Sequence, residues 1–307
     1  MKKLRFLLSL TNDVNDYQVE QVNAARHAAR RLNIDLDVTH ADNDGIRQSQ
    51  QLLAGVQTTV DTPPNAIIFE PAGSTSHPQV ARAAASAGIG VAVLNHDADY
   101  LGALRREFQV PAFAITSDHK EVGRIQGQQL RALLPNGGTV LYIQGPAESP
   151  AARQRYAGTV ETKPENASLR TLKAHWTEAS ARKAVYSWLQ LPTSRQLQIS
   201  AVCAQDDSMA MGARKAFEEC ADLRRDWRAL PFLGCDGLPS TGQTWLHHNL
   251  LAATVYIPPN AGLAIEMMVK AIETAKLPSE LTFTQAKSLP ALDQLASRAN
   301  SARAGSR

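Results

Sequence analysis

The feature that most constrains this chain is a rhythm. Short apolar, β-rich runs alternate with longer stretches whose apolar residues recur at helical spacing. "LRFLLSL" opens the series, and residues 17–32 follow with Val19, Val22, Ala25, Ala28 and Leu32 spaced three to four apart. "IDLDV" at 34–38, a helical stretch with Ile46, Leu52, Leu53 and Val56, "NAIIFEP" at 65–71, a helix around 75–87 and "IGVAVLN" at 89–95 continue it. This β-α-β-α-β-α-β order predicts a parallel sheet covered by helices on both faces.

Residues 96–112 break the rhythm, and it then restarts. "AFAIT" at 112–116 leads into a helix from Asp118 to Leu134, and "GTVLYIQG" at 138–145 into a helix capped by Ser149 with Pro150 at its first position. "ISAVCAQ", "LPFLGCDG" and "LAATVYI" supply further strands, with helices around 178–190, 207–220 and 260–275. The expected architecture is two similar α/β halves in series. The 307 residues suffice for that, and 44% hydrophobic with 20% charged residues is ordinary globular composition. The tail "SRANSARAGSR" reads as disordered.

Several function classes are disfavoured. The net charge is only +3 and scattered, without a basic stripe bearing aromatics, so nucleic acid is a poor partner. No run approaches the roughly 18 apolar residues of a membrane span. "MKKLRFLLSLTND" starts like an export signal, but its apolar core is short and no small-x-small cleavage site follows, so it reads as a first strand, Leu4 to Leu10. Cys203, Cys220 and Cys235 are widely spaced and read as buried thiols. GxSxG, HExxH and GxxxxGK[ST] are absent, "ADNDG" lacks the spacing of a calcium loop, and adjacent His247 and His248 would point about 100° apart on a helix. No metal or cofactor is implied.

Polar residues cluster after the strands: Asn12–Tyr17, Glu70, Asn95–Asp97, Ser117–His119, Gly145–Arg153, Asp206–Asp207 and Cys235–Gly237. In parallel α/β sheets that edge is where ligands bind, because loops and helix N-termini converge there. In "AVCAQDDSMAMGA", one aspartate suits the N-cap of the following helix and the other suits a ligand acceptor. Asp207 is assigned the cap and Asp206 the acceptor.

That last segment resembles the AVFAxND-x-MAxGA motif of the type 1 periplasmic binding protein superfamily, in its ribose- and galactose-binding branch. "NAIIFEP", "IGVAVLNHD", "ITSDHKEVGRIQGQQL", "IQGPAESPAARQRYAG", "FLGCDG" and "LLAATVYIPPNAGLAIEMMVKAI" resemble the family's other segments, in the family's order. The resemblance implies two Rossmann-like domains joined by three hinge crossings, near 115–117, 255–258 and 284–287, that close on a ligand. The N-terminal lobe would be 1–116 plus 258–285, the C-terminal lobe 117–257 plus 286–307.

The resemblance also implies a pocket. Asn15 and Tyr17 match a polar-aromatic segment after the first strand. Glu70 stands where Asn is usual, Asn95 where Asp is usual, and His96 where Arg is frequent. Arg155 matches a ligand-holding arginine, with Arg153 the first of that pair, and Trp176 matches an aromatic wall. Glu178 replaces a common Arg, Asp206 replaces Asn, Asp236 keeps an Asp, and Ile257 replaces a ligand-reaching Gln. Each has a plainer alternative: core burial for Trp176, a loop position for Tyr17, a surface helix position for Arg155, a first-turn helix acid for Glu178. The acidic replacements would favour an amine or cation, or a polyol using ionised acceptors.

The expected function is capture of a monosaccharide or related polyol, outside the cytoplasm, by a monomer that delivers it to a membrane ABC permease. A sensing module that signals to a membrane kinase is the alternative. An acid-pair hydrolase using Asp206 and Asp236 lacks an evident nucleophile or oriented base.

Overall fold

The computed structural model describes residues 3–58, 62–73, 76–224, 227 and 229–304. The chain divides into two compact units, residues 1–117 with 259–284, and residues 118–258 with 285–307.

Unit 1 is built on a six-stranded parallel sheet of β1 (Arg5–Leu10), β2 (Asp35–His40), β3 (Ala66–Phe69), β4 (Gly90–Leu94), β5 (Ala112–Ser117) and β11 (Leu281–Thr284), in the order β11-β5-β4-β3-β1-β2. Successive strand side chains point to opposite faces, and both faces are covered. Phe6, Leu8, Leu10, Ile68, Leu94, Phe113 and Ile115 pack beneath α1 (Asp16–Arg31) and α11 (Ala261–Thr274). Leu7, Ile67, Phe69, Val91, Val93 and Ala114 pack on the other side, beneath α2 (Gly45–Val56), α3 (Pro78–Ser86) and α4 (Leu101–Phe108). Each fully buried aliphatic or aromatic side chain of this kind contributes about 1.5–3 kcal/mol.

The expected break at 96–112 contains α4, so that reading is corrected. Leu101 and Leu104 are buried, and Gln109 ends the helix in a left-handed conformation. Eight residues with one buried edge are too short to give a clear helical period.

Unit 2 carries a four-stranded parallel sheet of β6 (Gly138–Gln144), β7 (Ala167–Lys173), β8 (Ile199–Ala204) and β9 (Phe232–Leu233), ordered β7-β6-β8-β9. Leu141, Ile143, Val202 and Ala204 meet α7 (Glu178–Leu189) and α9 (Asp207–Glu219) on one face. Val140, Tyr142, Ala201 and Cys203 form the other face's core. On that side, α5 (His119–Leu133) and α6 (Pro150–Thr162) approach closely: a Cβ on Gly123 would sit 2.0 Å from the Arg155 carbonyl oxygen. β7 went unread in the sequence because it is an edge strand, exposed along much of its length, with polar side chains between its apolar ones.

The short helices α8 (Pro192–Gln196) and α10 (Gly242–His247), and the two-stranded sheet of β10 (Thr254–Tyr256) and β12 (Lys287–Leu289), complete the unit with α12 (Leu292–Ala304). The expectation of a disordered tail is corrected up to Ala304. Buried Leu295 belongs to the core that holds Leu130 of α5, and this anchors an otherwise polar helix. Residues 305–307 lie outside the described residues. Among the described residues, no helix is long and apolar enough to cross a membrane, and no group of three or more His, Cys, Asp or Glu is arranged to hold a metal. Within "ADNDG", Asp44 caps α2 and Asp42 pairs with Arg47. The three cysteines are free and buried, and His247 and His248 are exposed.

Candidate functional site

Unit 1 gathers polar side chains at the carboxyl ends of β1, β3 and β4. Asn15 caps α1, its Oδ1 accepting from the N–H groups of Tyr17 at 3.0 Å and Gln18 at 3.3 Å. Tyr17 is buried in the first helical turn, not exposed in a loop. Glu70 follows β3, and its Oε2 accepts from Asn95 Nδ2 at 3.0 Å. Asn95 Oδ1 in turn accepts from Asn260 Nδ2 at 2.7 Å, and Gln21 Nε2 donates to Asn260 Oδ1 at 2.7 Å. Burial pushes the Glu70 carboxyl above its ordinary range, against hydrogen bonds from Gln18, Asn95 and Gln21 and the nearby charge of His96. His96 is half-buried, and its Nδ1 is enclosed without a hydrogen-bond partner.

A second layer holds this edge. Buried Gln48 donates from Nε2 to the Glu70 carbonyl at 2.9 Å, and its Oε1 accepts from Ala72 N–H at 2.6 Å. The same Oε1 lies 2.7 Å from His77 Nε2, which must therefore carry the proton, leaving Nδ1 to accept from Ser49 Oγ at 2.9 Å. Desolvation lowers the pKa of His77, with the charge of His96 adding to it. Sequence reading missed Gln18, Gln21, Gln48, His77 and Asn260. Gln18 and Gln21 fall in phase with Ala25 and Ala28 on the buried side of α1, and that phase was the available signal.

Unit 2 assembles Arg155, Trp176 and Asp236. Arg155, buried in α6, donates from its guanidinium to the Gln205 carbonyl. Its Nη1 lies 3.8 Å from Asp236 Oδ1, and its guanidinium carbon lies 5.6 Å from the Trp176 ring centroid. Gln205, fully buried, donates to Tyr142 Oη and the Ala152 carbonyl, each at 2.9 Å, and accepts from Gly145 N–H at 3.0 Å. A Cβ on Gly145 would meet Trp176 at 2.2 Å, so the absence of a side chain there makes room for the indole.

Three of the residues singled out, Asn95, Trp176 and Asp236, have φ of +56°, +56° and +101°. Non-glycine residues in that region cost about 1–3 kcal/mol and cluster at functional sites.

The helix cap falls to Asp206 and not to Asp207. Asp206 is the N-cap of α9, its Oδ1 accepting from Met209 N–H. Asp207 occupies the first turn, where its Oδ1 accepts from Thr254 Oγ1 at 2.6 Å and its Oδ2 from Gly237 N–H at 2.7 Å. Both are buried. The strand reaches one residue less far than its sequence suggests, since β8 ends at Ala204. Glu178 takes its plainer reading, a first-turn acid: it starts α7 and pairs with Lys215 at 2.6 Å, so its charge is engaged at the surface. Exposed Arg153 holds the carbonyls of Ala147 and Glu148 at 3.0 and 2.8 Å, fixing the loop before α6. Ile257 is buried and donates its N–H to the Asp236 carbonyl at 2.9 Å.

This pattern, polar residues at strand carboxyl ends with an arginine set against an indole and a carboxylate, accompanies a match to a family model. The periplasmic binding protein domain matches residues 6–276. The chain belongs to that family. The ribose import binding protein RbsB of Escherichia coli is 26% identical over 261 residues, covering 85% of this chain and 80% of that protein. The putative rhizopine-binding protein of Rhizobium meliloti is 25% identical over 190 residues, covering 60% of this chain and 58% of that protein. Among solved structures, the periplasmic binding protein component of the arabinose ABC transporter from Shewanella superposes with a TM-score of 0.79 at 22% identity, covering 98% of this chain and 96% of that one. That likeness concerns the fold.

Proposed function

We propose that this member of the periplasmic binding protein family is a solute-binding protein for a small polar ligand, a monosaccharide or related polyol. It works outside the cytoplasmic membrane, hands the ligand to an ABC permease and performs no chemistry on it. The observation that carries this reading is Arg155. Its guanidinium is held buried beside Asp236 and over Trp176, two residues of positive φ, at the strand edge where α/β proteins bind ligands. A charged donor fixed against a flat apolar ring suits a molecule with hydroxyl edges and C–H faces.

In this reading Glu70, Asn95, His96, Asn15 and Tyr17 of unit 1, and Arg155, Trp176, Asp206 and Asp236 of unit 2, are ligand-binding residues, each set within its own unit. Asp206 contributes through the carboxylate oxygen that does not cap α9. A ligand of Kd far below its concentration raises the melting temperature by mass action. Screening sugars and polyols by thermal shift tests the reading, and Arg155→Ala should erase any shift found. A panel without a single shift, or an unaltered shift in Arg155→Ala, contradicts it.

A further inference from the structure

Glu70 is a carboxyl group without a fixed cation. Its hydrogen-bond partners, Asn95, Gln18 and Gln21, are neutral amides. Among the described residues it forms no ion pair with Lys or Arg. The titratable group whose charge reaches it is His96, with His77 next beyond it, while Asp97 and Asp99 further along the same loop are exposed. A carboxylate taken out of water is costly unless a cation meets it, and here the carboxyl is held toward its protonated form instead.

A ligand can supply the missing charge. A metal ion fits poorly, because the Asn95 amide N–H aimed at Glu70 would oppose it, and among the described residues no group of three or more His, Cys, Asp or Glu is arranged to hold one. An ammonium group needs only acceptors. Glu70 offers its carboxylate oxygens, and beside it the Nδ1 of His96 is enclosed and has no hydrogen-bond partner.

We propose that the Glu70 edge of unit 1 recognises a protonated amine on a polyhydroxylated ligand, an amino sugar or aminocyclitol, with Glu70 taking the ammonium and Asn95 holding the carboxylate in place. The inference rests on the sugar-binding reading and narrows it. Asn95 is itself tethered by Asn260, so the carboxylate is oriented before ligand arrives. Acid protonates Glu70 and so removes the acceptor, giving amine recognition a pH dependence that hydroxyl recognition lacks.

Titration calorimetry at pH 7.5 with matched pairs tests this: glucosamine against glucose, galactosamine against galactose, mannosamine against mannose, and an aminocyclitol against its parent cyclitol. In at least one pair the amine binds about tenfold or more tighter, the advantage a charged hydrogen bond gives over a neutral one. The N-acetylated sugar, which has lost the charge, loses that preference. Glu70→Gln brings the ratio within about twofold while the free protein still unfolds cooperatively. If that variant does not fold, the wild-type preference is followed from pH 7.5 to 4, below the ordinary Glu value of 4.5, where it should decline. Neutral members binding with no amine preferred overturns the inference and leaves the sugar-binding reading standing. Silence from every pair overturns both, and a preference that survives Glu70→Gln, acetylation or acid removes Glu70 from the amine site.

Discussion

Asp207 Oδ2 accepts a hydrogen bond from the backbone N–H of Gly237 at 2.7 Å, tying the first turn of α9 to the loop after β9. The same carboxylate takes Thr254 Oγ1 with its other oxygen, so one side chain joins three segments of unit 2. Its neighbour Asp206 caps the start of α9, its Oδ1 accepting from Met209 N–H.

The two aspartates should therefore differ in stability cost. Asp206→Ala loses a cap, about 1 kcal/mol. Asp207→Ala orphans two buried donors at about 1–3 kcal/mol each, so its loss should be clearly larger. All four tryptophans, at 176, 188, 227 and 245, lie in unit 2, so tryptophan emission during urea unfolding reports that unit alone. Equal losses in the two variants would refute the assignment.

Gly145→Ala is expected to displace the Trp176 ring, because the new methyl would overlap it. The cation–π contact with Arg155, about 0.5–2 kcal/mol in this kind of setting, would be lost or weakened. Emission of the free protein should shift and ligand affinity should drop, while the unfolding midpoint moves by a smaller step than in Asp207→Ala. Unchanged emission in this variant is the contrary result.

Unit 1 should respond to pH through two groups with opposite signs. His77 has a lowered pKa, so its neutral form is favoured in the fold and the stability it lends is present above about 6.5 and lost as pH falls. Glu70 has a raised pKa, so its contribution is full below 4.5 and lost as pH rises through the folded value. Glu70→Gln should then raise the melting temperature of the free protein at pH 7–8 more than at pH 4, as scanning calorimetry can measure. A variant equally or less stable at pH 8 counts against a buried, costly carboxylate.

Gln48→Ala should loosen the loop after β3. It removes the acceptor of Ala72 N–H and His77 Nε2 and the donor to the Glu70 carbonyl. Faster hydrogen exchange is expected at Ala72, together with a loss of about 2–4 kcal/mol from the buried groups left unmatched. Exchange at Ala72 as slow as in the wild type would show that the loop holds itself.

Much of the fold was legible because parallel strands buried on both faces, such as Ala66–Phe69 and Gly90–Leu94, read as unbroken apolar runs. Elements with one short buried edge were not: α4 keeps Leu101 and Leu104, and α12 rests on Leu295. At the site, the family resemblance pointed to Arg155, Trp176, Asp236, Glu70 and Asn95; Glu70, Asn95, Trp176 and Asp236 follow strands and Arg155 lies in α6. Which of two adjacent aspartates caps a helix depends on where β8 stops, a one-residue question that apolar patterning does not resolve. Buried amides such as Gln21, Gln48 and Asn260 look like surface residues in a sequence, since their partners are backbone and side-chain groups far along the chain.

The pairing of β11 with β5 bears on how the protein is made. Strand β5 emerges early, yet its neighbour at Leu281–Thr284 is translated only after the whole of residues 118–258. At about 5–20 residues per second, that leaves a bare row of N–H and C=O groups on the nascent chain for on the order of ten seconds or more. A ribosome that stalls short of Leu281 releases a chain whose sheet still seeks a partner, and clumping is the foreseeable fate of such fragments.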